Sequence, residues 1–176
     1  MSWTLMTLAT PVDPATLAPD VAWTWDTITD ELNRGSGSDE MLSAGTRNGY
    51  LTGALQPLIA REDSRVLSFL DSSPWHAPDN TVAALLRQPE MAQVVLAVDR
   101  VFDAIATDPA AVLASGVECC CATHLQAYAA QATASLDPMI DEGENLESVF
   151  NFLRSLQALC RRSQQDGRYV LAVQMW

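Results

Sequence analysis

Residues 146–176 read LESVFNFLRSLQALCRRSQQDGRYVLAVQMW. This stretch decides the fold because its hydrophobic period changes midway. Leu146, Val149, Phe150, Leu153, Leu156, Leu159 and Cys160 recur at three- and four-residue spacing, which puts them on one face of an α-helix. Glu144 and Glu147 stand near its start and Arg161 and Arg162 near its end, so both signs complement the helix dipole. Asn145, or the acidic residues before it, supplies the cap. Asp166-Gly167 then turns the chain. Arg168 to Trp176 reads as a strand, mostly apolar on both faces. Such a strand needs cover on both sides. It belongs inside a small sheet, and Ser2 to Ala9, short and rich in Trp, Thr and Leu, is the expected neighbour.

Upstream of this stretch, Pro89 stands at a first helical position, followed by Glu90. Met91, Val94, Val95, Val98, Val101, Phe102 and Ile105 then mark the core side of a long helix. Asp108-Pro109 starts a short helix that stops near Gly116. Val117 to Leu136 is Ala-rich and predicted helical throughout, and Thr81 to Arg87 is predicted as a short helix. Nearer the N-terminus, a helical turn is expected at Pro14 to Ala18. A helix follows over Trp23 to Arg34, ended by Gly35-Ser-Gly37-Ser. Ser38, Asp39 and Glu40 open a further helix carrying Gly45, Gly49 and Gly53 at four-residue spacing. Those glycines form a smooth groove if the helix is continuous. A break near Gly45 or Asn48 fits equally, since each interior glycine costs about 1 kcal/mol against alanine. Pro57 kinks or ends that stretch, Glu62 to Leu70 reads as a short helix, and Asp71 to Asn80 reads as a loop. The expected architecture is one α+β domain over residues 1–176, predominantly helical, with helices packed on a small sheet formed by the N- and C-terminal strands.

The 176 residues include 22 acidic and 10 basic side chains, a formal net charge of -12. A field of that sign repels nucleic acid and anionic lipid and steers a basic partner inward. No apolar run reaches the roughly 18 residues of a membrane span. Met1 to Thr10 has no basic region and no long apolar stretch of the signal-peptide kind, so the expected compartment is the cytoplasm, with free thiols.

The cysteines are Cys119, Cys120, Cys121 and Cys160. Cys120 and His124 are four apart and would share one helix face as a zinc half-site, with Cys160 as the candidate third ligand. The competing reading makes the cysteines small buried hydrophobes in an Ala-rich helix. A thiolate nucleophile paired with His124 or His76 would need positive charge beside it, and Glu118 has the wrong sign. There is no P-loop or Rossmann glycine pattern, no GxSxG and no HExxH. No catalytic residue is therefore nominated, and no cofactor is expected.

Asp137, Asp141, Glu142, Glu144 and Glu147 form an acidic run without the order of an EF-hand. It is either a solvated helix start or a docking patch for a basic protein. Five tryptophans include Trp75, which lies in a Pro-flanked segment with His76 and Asp79 and suits an interface. The candidate partner-binding residues are Asp137, Asp141, Glu142, Glu144, Trp75 and Asp79.

The long helix through Arg161 and Arg162 into Gln165-Asp166-Gly167, followed by the strand Tyr169 to Gln174, resembles the C-terminus of the YfbM-like bacterial family of unknown function. The opening strand and the segment Asp20-Val-Ala-Trp-Thr-Trp25-Asp26, with Leu32 and Gly35 downstream, are similar to that family's N-terminal part. The resemblance covers about a third of the chain, at the termini, and Ser36 to Leu136 departs from it. It implies an α+β architecture with a small terminal sheet and transfers no active site. Some members of such families look like immunity proteins for secreted toxins. The acidity, the compact size and the absence of an assembled catalytic set lead to the expectation of an intracellular inhibitor, of the immunity-protein kind, for a basic toxin enzyme. The alternatives are a metal- or thiol-dependent protein using Cys119 to His124, and a chaperone or interaction module using the glycine groove.

Overall fold

The computed structural model describes residues 4–17, 24–36, 40–47, 75–76, 82–135 and 146–175. The described elements are β1 (Thr4–Val12), a 3-10 turn (Pro14–Thr16), α1 (Trp25–Ser36), β2 (Leu42–Arg47), β3 (Trp75–His76), β4 (Val82–Leu86), α2 (Gln88–Thr107), α3 (Pro109–Ala114), α4 (Ala122–Gln131), α5 (Leu146–Gln165) and β5 (Tyr169–Met175). The strands form one antiparallel sheet in the order β2-β1-β5-β4-β3. The fold is thus α+β and mainly helical, with the N- and C-terminal strands side by side within the sheet. Among the described residues, no helix is long and apolar enough to cross a membrane.

The two-faced apolar character of β5 is used as its sequence requires. Val170 and Ala172 point into the larger core, with Ala9, Leu42 and Leu86 from neighbouring strands. Leu171 and Val173 point the other way and pack with Val12 and with Ile28 of α1. Helix α1 therefore covers one face of the sheet, and α2 to α5 build the core on the other. In that core α5 buries the whole expected stripe from Leu146 to Cys160, together with Phe152. Opposite it, α2 buries Met91, Val94, Val98, Val101, Phe102 and Ile105, while Val95 is half-buried. Phe102 and Phe150 meet with ring centroids 5.5 Å apart.

Local chemistry sets the ends of these elements. Thr24 and Thr27 cap α1 reciprocally: the Thr24 N–H donates to Thr27 Oγ1 at 2.8 Å and the Thr27 N–H to Thr24 Oγ1 at 3.3 Å. Glu90 reaches back to accept from the Arg87 N–H at 3.1 Å at the start of α2. Asp108 accepts from the Ala111 N–H at 3.0 Å and starts α3. Gly167, at φ 68°, makes the turn between α5 and β5. Beside that turn, Arg168 forks onto Glu40 at 2.6 and 3.1 Å and also holds Asp166 at 2.6 Å. Pro11 lies in β1 past the last residue that pairs with β2, a place sheet prolines favour.

Four expectations are corrected. Leu42–Arg47 is a strand, not part of a helix from Ser38, so Gly45 sits in a sheet and lines no helical groove. Gly49 and Gly53 lie outside the described residues. Val82–Leu86 is also a strand, because pairing with β5 overrides the helix preference of Ala and Leu. The segment read as a loop around Trp75 and His76 contributes the short edge strand β3. Residues 117–121 are not helical, and α4 begins only at Ala122. The proposed helix at Glu62 to Leu70 lies outside the described residues.

Candidate functional site

Gly116, at φ 106°, ends the turn after α3, and buried Val117 anchors the chain as it runs toward α4. The three consecutive cysteines occupy this run. Cys119 is half-buried against the core, and its thiol donates to the Cys121 carbonyl at 3.5 Å. Cys120 and Cys121 are exposed, contrary to the expectation of buried hydrophobes. Cys121 takes the N-cap position of α4 with extended backbone, φ -167° and ψ 164°. That leaves His124 at the third helical position, one turn along from it.

Cys120 and His124 come together as their spacing suggested, although Cys120 precedes the helix instead of lying within it. Cys120 Sγ is 2.6 Å from His124 Nδ1 and 3.9 Å from Cys121 Sγ. The ligand atoms of Cys120, Cys121 and His124 all lie within 4.8 Å of one another, and all three residues are exposed. His124 also stands over Tyr128, one turn further along α4, with ring centroids 6.3 Å apart.

The two exposed thiols are pushed in opposite directions. Backbone N–H groups at the start of α4, that of His124 first and Thr123 as well, favour the Cys121 thiolate, and the Cys120 thiol adds to this. Cys121 is therefore held below the usual thiol range. Cys120 is raised, first by desolvation among its neighbours and then by its contact with Cys121. The pair is arranged with Cys120 as the S–H donor and Cys121 as the sulfur acceptor.

Cys160 is not part of this group. It is fully buried in α5, where burial pushes its thiol up to about 12. The small-hydrophobe reading holds for Cys160, and its nomination as a third ligand is withdrawn. The ligand that sequence reading missed is Cys121. No capping motif signalled it, since Cys121 takes the N-cap of α4 without a side-chain cap hydrogen bond.

Of the nominated partner-binding residues, Asp79, Asp137, Asp141, Glu142 and Glu144 lie outside the described residues. Trp75 is described only in its backbone, in edge strand β3. A separate polar bridge, not signalled by any motif, joins α2 to α5. Buried Gln157 donates to the Val95 carbonyl at 3.0 Å and to Asp99 Oδ1 at 2.6 Å. Arg161 pairs with Asp99 at 2.9 Å. Arg154 donates to Gln157 Oε1 at 3.0 Å and lays its guanidinium 3.6 Å from the centroid of the Phe102 ring. An open cleft of about 400 Å³ adjoins this bridge, between Phe102, Gln126, Ala130 and Arg154.

No family model, curated protein or solved structure matches the chain.

Proposed function

We propose that the protein is an intracellular, protein-binding inhibitor of the immunity-protein kind, which engages a basic partner, such as a toxin enzyme, through its acidic surface. The observation that carries this reading is the charge of -12 over 176 residues, combined with the way the chain employs its arginines. Arg34 pairs with Glu31, Arg154 and Arg161 with Asp99, and Arg168 with Glu40 and Asp166. These four of the ten arginines are held by the chain's own carboxylates, and the chain carries a surplus of acid beyond its cations. Exposed Asp26, Asp30, Asp103 and Glu118 belong to that surplus. Carboxylates of this kind can occupy a site on an enzyme that otherwise receives an anionic substrate, and they speed encounter with it.

The candidate contacts remain Asp137, Asp141, Glu142 and Glu144, with Trp75 and Asp79 as an aromatic and acidic complement. The cytoplasm is the compartment in which such an inhibitor would meet its target. The test is to tag the protein, recover it from its own cells at low salt and identify co-purifying chains by mass spectrometry. A stoichiometric basic partner that leaves as salt rises supports the reading. A clean, partnerless protein overturns it.

A further inference from the structure

We infer that Cys120, Cys121 and His124 form a binding site for one soft transition-metal ion, such as Zn²⁺, with the remaining coordination position open to solvent. Two thiolates and an imidazole are the donor types such ions prefer. A tetrahedral zinc bound at the usual Zn–S length holds two sulfurs about 3.8 Å apart. Cys120 Sγ and Cys121 Sγ are already 3.9 Å apart. The same geometry needs about 3.5 Å between sulfur and nitrogen. The 2.6 Å approach of Cys120 Sγ to His124 Nδ1 must therefore open slightly. Both side chains are exposed and have room to rotate.

The backbone makes this arrangement. Cys120 sits at a bend and Cys121 takes the N-cap of α4, and this change of direction brings the ligand atoms of the two neighbouring cysteines and the first-turn histidine within 4.8 Å of one another. On a continuous helix, Cys120 and Cys121 would diverge by about 100° around the axis. The departure from the expected helix is thus what converts a half-site into a three-ligand group. Exposed Glu118 nearby adds negative charge that favours a cation. Binding displaces both thiol protons to solvent and leaves the imidazole neutral. This inference stands apart from the inhibitor reading, and either can fail without the other.

The experiment uses full-length, reduced protein titrated with Co²⁺ without oxygen, followed by displacement with Zn²⁺. The expected result is one Co²⁺ per chain, with thiolate-to-cobalt charge-transfer absorption that Zn²⁺ abolishes. C120S and C121S should each lose the tight site, H124Q should weaken it, and C119S should keep it. All the ligand side chains are exposed, and circular dichroism checks that each variant remains folded. Absence of the charge-transfer band in the folded wild type overturns the inference. So does a band that survives C120S and C121S, or one lost to C119S as fully as to C121S.

Discussion

Gly35, in the last turn of α1, lies directly against Thr10 of β1. A Cβ there would stand 2.0 Å from Thr10 Oγ1, 2.8 Å from Thr10 Cβ and 3.2 Å from Thr10 Cγ2. Thr10 is fully buried in β1, paired with Leu171 of β5, so it has little room to retreat. Gly35→Ala therefore sets two terms against each other. Alanine gains up to about 1 kcal/mol in helix propensity, less in a terminal turn. Overpacking costs about 1–3 kcal/mol. The clash includes a backbone-attached carbon as well as a rotatable hydroxyl, so the steric term wins, and the expected net loss is about 1–2 kcal/mol. For a chain of this size that lowers Tm by about 2–4 °C per kcal/mol. Urea unfolding followed by circular dichroism measures the loss. Thr10→Ala removes the hydroxyl at 2.0 Å and the methyl at 3.2 Å but keeps the Cβ at 2.8 Å, so the double variant should recover part of the loss, with a coupling of at least about 0.5 kcal/mol. If G35A were as stable as wild type or more so, α1 would not lie on β1 at this distance and the two-sided cover of the sheet would be wrong.

Three further outcomes are expected. Gln157→Ala should cost about 1–3 kcal/mol in denaturant unfolding, because it empties a buried site and strips Asp99 of a 2.6 Å donor. Glu40 has its pKa lowered, mainly by the hydrogen bond from Arg168. Its contribution is therefore present above the usual glutamate range of about 4.3 and is lost as pH falls through its lower folded value. The stability advantage of wild type over E40Q should accordingly be full near neutrality and shrink in acid, as read from unfolding curves at several pH values. A thiol reagent at mildly alkaline pH should label Cys120 and Cys121 in the native protein and reach Cys160 only in denaturant, since burial holds that thiol near 12. Mass spectrometry of the labelled peptides reports each site.

Elements whose periodicity is strong and whose ends carry their own caps were legible in the sequence. Helices α2 and α5 have long apolar stripes, and β5 carries its need for two-sided cover in Val170 to Val173. The strands β2 and β4 were not legible. Leu42–Arg47 contains Ala and Gly with few β-branched residues, and Val82–Leu86 is mostly Ala and Leu. Their state is set by the ladder each forms with β1 or β5, which is tertiary information. The cysteine run was misread for a related reason. Alanine content suggested a helix from Val117, but the chain turns at Gly116 after α3, stays non-helical over residues 117–121 with a bend at Cys120, and enters α4 only past Cys121. Local composition thus showed that Cys120 and His124 could meet, and only the true start of α4 brought Cys121 to them.

The central claim is that an acidic surface recognises a basic partner, and the affinity for the co-purified chain tests it most directly. It is measured at low and high salt, for wild type and for a variant with Asp137, Asp141, Glu142 and Glu144 changed to amides. The account predicts that wild-type affinity falls as salt rises, and that the neutralised variant binds more weakly with a shallower salt dependence. Binding that ignores salt, or an affinity unchanged by those substitutions, would contradict it.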